Sequence, residues 1–253
     1  MSENNIALVT GGSRGLGKDM VLALARKGLD IILTYRSQKD EALAVVASVE
    51  QLGRKAVALP LDVGDSSTFP AFFTSVSAAL RDTWKTTTFQ FLINNAGIGI
   101  HAAFADTTEE QFDTLCNIQF KGTFFLTQKA LPYLADGGGI VNISSGLARF
   151  SFPGYSTYAS MKGAVETLTR YLAKELGARK IRVNVVAPGA IETDFGGGMV
   201  RDNAQVNAQI ASLTTLGRVG LPEDIGGVVA FLCTDDARWV NGQRIEVSGG
   251  ILL

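Results

Sequence analysis

The sequence predicts an α/β fold in which one parallel sheet, wound in both directions, carries helices on both faces. Three observations point there. Short apolar stretches alternate with helical patterns from end to end. Strands that are apolar on both sides need cover on both sides, which parallel sheets obtain from crossover helices. No proline- or serine-rich linker, charge block or repeat divides the 253 residues. With 46% hydrophobic and 19% charged residues, the chain can fill one large core, so residues 1–253 read as a single domain.

The elements follow in order. Ile6–Thr10 reads as a strand; Leu16, Met20 and Leu24 mark a helix that Gly28 closes. Ile31–Tyr35 is the second strand, followed by a helix over Glu41–Leu52 that ends at Gly53. Ala56–Leu61, Phe89–Ile93, Ile140–Ile143 and Ile181–Val186 read as further buried strands, and Arg244–Val247 as the last. A long helix is expected from Tyr155 to Leu176. Phe195-Gly-Gly-Gly-Met199 breaks the rhythm after the sixth strand. Three glycines in a row suit a mobile lid, placed near 193–215, where open α/β sheets bind ligands.

Composition excludes several classes. No apolar run approaches the roughly 18–20 residues of a membrane span. Met1-Ser-Glu-Asn-Asn5 lacks the basic and apolar regions of a secretory leader, so a cytoplasmic location is expected. A net charge of −1 without a basic cluster argues against nucleic acid as a partner. Cys116 and Cys233 are too few for a disulfide framework or zinc cluster, and no metal is expected. The only histidine, His101, stands in a loop-like stretch and reads as a solvated or substrate-rim residue. This disfavours a multi-histidine metal site and a Ser-His-Asp hydrolase.

The first strand runs into Thr10-Gly-Gly-Ser-Arg-Gly-Leu-Gly17 and then a helix. Such a turn aims backbone N–H groups and a helix N-terminus at a phosphate. Gly12-x-x-x-x-Gly17-Lys18 nearly spells a P-loop, but Asp19 stands where a Ser or Thr would bind magnesium. The second strand ends Tyr35-Arg36-Ser37. An acid near there would bind a ribose 2′-hydroxyl, whereas arginine and hydroxyls suit a 2′-phosphate. Arg14, Arg36 and Ser37 therefore favour NADP(H) over NAD(H).

Tyr158 and Lys162 form Y-x-x-x-K, thirteen residues after Ser145. On a helix, residues four apart share a face. A phenol ionises near a pKa of about 10, and a neighbouring ammonium brings this toward working pH. The set fits a proton donor to a carbonyl.

Taken together, the chain resembles the short-chain dehydrogenase/reductase family from about residue 5 to its C-terminus. The glycine turn resembles T-G-x-x-x-G-x-G; Asn94-Asn-Ala-Gly97, Ser145 with Tyr158-x-x-x-Lys162, Pro188-Gly189 with Thr193, and Ser248-Gly-Gly250 follow in family order. The resemblance implies a single Rossmann-type domain that moves hydride between NADP(H) and a ketone or secondary alcohol. In it Tyr158 transfers the proton, Lys162 lowers its pKa and binds the nicotinamide ribose, and Ser145, rather than Ser144, bonds the substrate oxygen. The cofactor would meet Gly11, Ser13, Arg14, Gly15, Leu16 and Gly17, then Tyr35, Arg36 and Ser37. Asp62 and Val63 would contact the adenine, and Asn94, Ala96 and Gly97 would line the cleft. Pro188, Gly189, Ile191 and Thr193 would flank the nicotinamide. Where the family usually places a relay asparagine in N-x-x-G, this chain carries Gln119; Asn117 points elsewhere on the helix surface. A homotetramer is typical of the family.

Phe150, Phe152, Tyr155 and Phe195 favour an apolar or aromatic carbonyl substrate, a 3-oxoacyl thioester being one option, and Arg149 is the one charged candidate to face inward. The alternative from another class is a catalytically silent NADP-binding regulatory protein. The intact Ser145, Tyr158 and Lys162 count against it.

Overall fold

The computed structural model describes residues 5–253, so Met1–Asn4 of the stretch read for a leader lie outside the described residues. Seven strands are present among the described residues: β1 (Ile6–Val9), β2 (Asp30–Tyr35), β3 (Ala56–Pro60), β4 (Phe89–Asn94), β5 (Leu134–Ile143), β6 (Arg182–Pro188) and β7 (Arg244–Val247). They form one sheet in the order β3-β2-β1-β4-β5-β6-β7, and every pairing is parallel.

Nine α-helices accompany them among the described residues: α1 (Gly15–Arg26), α2 (Lys39–Gln51), α3 (Phe69–Ala79), α4 (Glu109–Leu115), α5 (Gly122–Ala130), α6 (Ser156–Glu175), α7 (Met199–Asp202), α8 (Ala204–Leu213) and α9 (Pro222–Leu232). Strand alternation divides the core between two faces. Ala7 and Val9 of β1 join Met20 of α1, Val45 of α2 and Ile225 of α9. Ile6 and Leu8 join Phe72 of α3, Leu126 of α5 and Ala173 of α6 on the other side. This is the doubly wound Rossmann-type arrangement expected.

One irregularity breaks the alternation. Phe89 and Phe91, two apart on β4, belong to opposite faces, because the β4–β5 register shifts between them. A Cβ at Gly138 would lie 2.2 Å from the Gln90 carbonyl oxygen, so only glycine allows the approach. This explains why β5 begins at Leu134 rather than Ile140: Gly137-Gly-Gly139 looks like a loop in sequence but is strand here. The region read as a mobile lid contains α7 and α8. Asn203 caps α8, its Oδ1 accepting from the Gln205 and Val206 N–H groups at 3.0 and 3.1 Å.

The winding reverses between β1 and β4, and a crevice opens at their carboxyl ends. Among the described residues, no helix is long and apolar enough to cross a membrane.

Candidate active site at the sheet crevice

The glycine turn is tied to β4 by one hydroxyl. Thr10 Oγ1 accepts from the Asn95 and Ala96 N–H groups at 3.0 and 2.9 Å and donates to the Ile93 carbonyl at 3.3 Å. Asn95 Nδ2 donates to the Thr10 and Gly11 carbonyls. Gly11 has φ +65°. A Cβ at Gly17 would lie 2.0 Å from the Gly11 carbonyl oxygen, so the turn packs onto α1 with no space for a side chain. Arg14 precedes α1 in extended backbone, with no side chain capping the helix and no acid in its first turn. The first N–H groups of α1 are thus left to a ligand, and the turn fits a dinucleotide's phosphates. Arg14, Arg36 and Ser37 are exposed beside it, as a 2′-phosphate would need.

Asp19 faces away from this turn. Its carboxyl packs against Gly226 of α9, where a Cβ would lie 1.9 Å from Oδ2. Burial, then the Glu223 charge, push its pKa up. The near-P-loop frame therefore offers no magnesium ligand to the turn. Gly11–Gly15 also spells G-x-S-x-G, a hydrolase nucleophile frame. The only histidine, however, packs on Tyr155 with ring centroids 5.0 Å apart.

The other predicted cofactor residues separate into groups. Asp62 Oδ1 accepts from the Gly64 N–H at 2.8 Å, and Val63 lies over Gly122. Ala96 approaches Gly11, and Thr193 lies over Gly15. Gly189 donates its N–H to the Val247 carbonyl at 3.0 Å, Ile191 bridges Gly220, and Pro188 is the last residue of β6. Asn94 is turned inward. Its Nδ2 donates to Thr127 Oγ1 and Asn142 Oδ1 at 2.9 and 2.8 Å, so its side chain braces β4 against β5 and α5 and does not line the crevice.

Ser145, Tyr158 and Lys162 meet on the opposite wall. Ser145 follows β5, while Tyr158 and Lys162 occupy one face of α6, both buried. Lys162 Nζ donates to the Ile143 carbonyl at 2.8 Å and lies 5.6 Å from the centre of the Tyr158 ring. Burial pushes the Tyr158 phenol well above its ordinary value, against a lowering hydrogen bond from Ser145. Burial also brings Lys162 down to about 8. Where the sequence reading has Lys162 lower the tyrosine's pKa, burial is the dominant influence on it here, and the one lowering contact comes from Ser145. Ser144 is committed elsewhere, donating to Glu166 Oε1 at 2.7 Å.

Gln119 lies in a π-helical turn, Cys116–Lys121, between α4 and α5. Its Nε2 donates to the Ile98 carbonyl, and its Oε1, buried without a partner, faces Gly97. The amide thus clamps the loop after β4.

Phe195 stacks at a tilt on Tyr158, centroids 5.9 Å apart, and presses on Gly99. Phe150 and Phe152 meet edge-on at 5.7 Å. Arg149 does not face inward. It grips Glu246 at 2.7 Å and the Ile251 carbonyl at 2.9 Å. Sequence reasoning missed this and the Glu166–Arg244 pair behind Ser145; the partners are far apart along the chain.

A family model described as enoyl-(acyl carrier protein) reductase matches residues 11–252. The chain is 38% identical, over 98% of both sequences, to an uncharacterized oxidoreductase of Methylorubrum extorquens. It is 36% identical to the hydroxynaphthalene reductase-like protein Arp2 of Metarhizium brunneum, covering 97% of this chain and 94% of that one. The solved angucycline C-6 ketoreductase LanV, with bound NADP, superimposes with a TM-score of 0.93 at 35% identity, over 98% of this chain and 95% of that one.

Proposed function

This chain belongs to the short-chain dehydrogenase/reductase family, and on that premise we propose that it is an NADP(H)-dependent reductase of ketones on planar, fused-ring aromatic compounds. The observation that carries the reading is the contact of Ser145 with a buried Tyr158, with Lys162 on the same face of α6, across the crevice from the glycine turn. The relatives' names and the rings of Phe150, Phe152, Tyr155 and Phe195 support the substrate class. Arg14, Arg36 and Ser37, with no acid at the end of β2, support NADP(H).

The nicotinamide, when bound, supplies the hydride. Tyr158 gives its proton to the alkoxide that develops on the substrate oxygen, and Ser145 donates a hydrogen bond to the same oxygen. Lys162, charged below pH of about 8, favours the phenolate left behind and hydrogen-bonds the nicotinamide ribose. Gln119 shapes the crevice through the Ile98 carbonyl. Phe195 and the helices α7 and α8 act as a lid over Tyr158. The outer apolar faces of α5 and α6, with Phe124 and Tyr171 exposed, support a homotetramer.

The test is a parallel screen with NADPH and NADH against fused-ring hydroxyketones, simple ketones and 3-oxoacyl thioesters. NADPH should be oxidised fastest with the fused-ring compounds. A preference for NADH would defeat the arginine argument, and a lead for the thioesters would defeat the substrate class. Cofactor binding without any turnover would favour the silent regulatory reading.

A further inference from the structure

Behind Ser145 runs a chain of charges that the proposed chemistry does not use directly. Glu166 lies one helical turn beyond Lys162 on α6. Its Oε1 accepts from Ser144 Oγ and from Arg244 Nε, both at 2.7 Å. Ser144 Oγ also lies 3.4 Å from the Lys162 carbonyl. Arg244, on β7, reaches two further groups: Glu246 Oε2 at 2.9 Å and the Ser145 carbonyl at 3.5 Å. Glu246 receives Arg149 as a bidentate partner at 2.7 Å on both oxygens, and Ser248 Oγ at 2.9 Å. Arg149 then holds the Ile251 and Leu252 carbonyls at 2.9 and 3.3 Å. Burial raises the Glu246 pKa, but Arg149, Arg244 and Ser248 together outweigh it and hold the group at about 2.

The segment Ser144–Arg149 is therefore fixed at both ends by guanidiniums that converge on one carboxylate. Between them stand Ser145 and the tight turn Gly146–Ala148. Partly exposed ion pairs stabilise a fold only slightly, so a cluster of this density has little explanation in stability alone. Its location does offer one. A group that bonds a reacting oxygen must be held within a fraction of an ångström, and a misplacement of about 1 Å costs roughly 100-fold in rate.

We infer that Glu166 and Arg244 are positioning residues for Ser145, clamping its backbone so that its hydroxyl stays against the Tyr158 phenol. The inference rests on the proposed role of Ser145 as hydrogen-bond donor to the substrate oxygen. Glu166 acts through the Ser144 hydroxyl and Arg244 through the Ser145 carbonyl. Glu246 and Arg149 hold the far end of the segment to the C-terminal strand.

The experiment pairs Arg244→Met and Glu166→Gln, each alone and combined with Ser145→Ala. Arg244→Met should lower kcat by about 10- to 100-fold and leave NADPH affinity within about twofold. In the Ser145→Ala background it should cost less than about twofold more, because residues acting as one unit are non-additive. Glu166→Gln keeps an acceptor and should lose less, which guards against a variant that merely misfolds. Full additivity with Ser145→Ala overturns the inference. Amide hydrogen exchange of the nucleotide-free protein gives an independent readout. Residues 144–149 should exchange faster in Arg244→Met, with residues 10–17 unchanged. Unaltered exchange at 144–149 sinks the clamp even if the wild-type protein reduces no ketone, an outcome that would instead defeat the functional reading.

Discussion

The two sides of the crevice around Tyr158 are held by opposite means. On the β5–α6 side, Asn142 donates to Thr169, Lys162 to the Ile143 carbonyl and Ser144 to Glu166, all between buried or half-buried groups. On the lid side, Arg201 pairs with Asp194 and Asp202 in the open, and Arg14 reaches Asp194 only at 4.0 Å. The backbone there runs through Gly196, Gly197 and Gly198, all with positive φ. Surface ion pairs and glycine-rich backbone resist displacement weakly, whereas a buried polar network resists it strongly. The difference teaches where precision is needed. Under the proposed roles, the wall that would move the proton is held by buried hydrogen bonds, and the wall proposed as a lid rests on weaker contacts.

The largest expected break is on the fixed wall. Tyr158→Phe removes the proton but leaves the ring against Phe195, so kcat should fall by about 10³-fold while calorimetry finds NADPH affinity unchanged. Loss of affinity on the same scale would mean that the tyrosine serves binding instead. A pH profile sharpens the same point. Lys162 carries its charge below about 8 and loses it above, so kcat/KM for NADPH, which reports the free enzyme, should decline as pH rises through that value. A profile flat to pH of about 10 would remove Lys162 from the proposed role. The smallest effect belongs to the lid. Gly198 has φ +77°, and a Cβ there would lie 2.3 Å from Asp202 Oδ2. Gly198→Ala should cost about 1 kcal/mol of local stability, raising KM for the ketone several-fold with kcat nearly intact. An equal fall in kcat would show that the lid is as demanding as the opposite wall.

How much of this was legible in sequence depended on the distance between partners. The glycine turn before α1 and the shared α6 face of Tyr158 and Lys162 follow from local spacing and are seen there; the same spacing gives the choice of Ser145 over Ser144 that the proposed function adopts. Asn94 did not, because its identity suits both a cleft wall and a buried brace, and only Thr127 and Asn142 decide. Arg149, the one charged candidate to face inward, turns out instead to Glu246. Its partner Glu246 lies 97 residues away, beyond any local pattern. Glu166 and Arg244 are separated by 78. The strand at Gly137–Gly139 was hidden because glycine signals a turn unless one knows that the Gln90 carbonyl presses against it.

The Thr10 hydroxyl has a consequence for assembly. It joins the end of β1 to Asn95 and Ala96, 85 and 86 residues later. The phosphate turn is local in sequence, yet its shape is completed only when β4 has docked beside β1. Closing so long a loop is an entropic step that precedes its reward. Nucleotide therefore recognises only chains whose first half has already closed, and by mass action it stabilises that closed half over its unfolded alternatives.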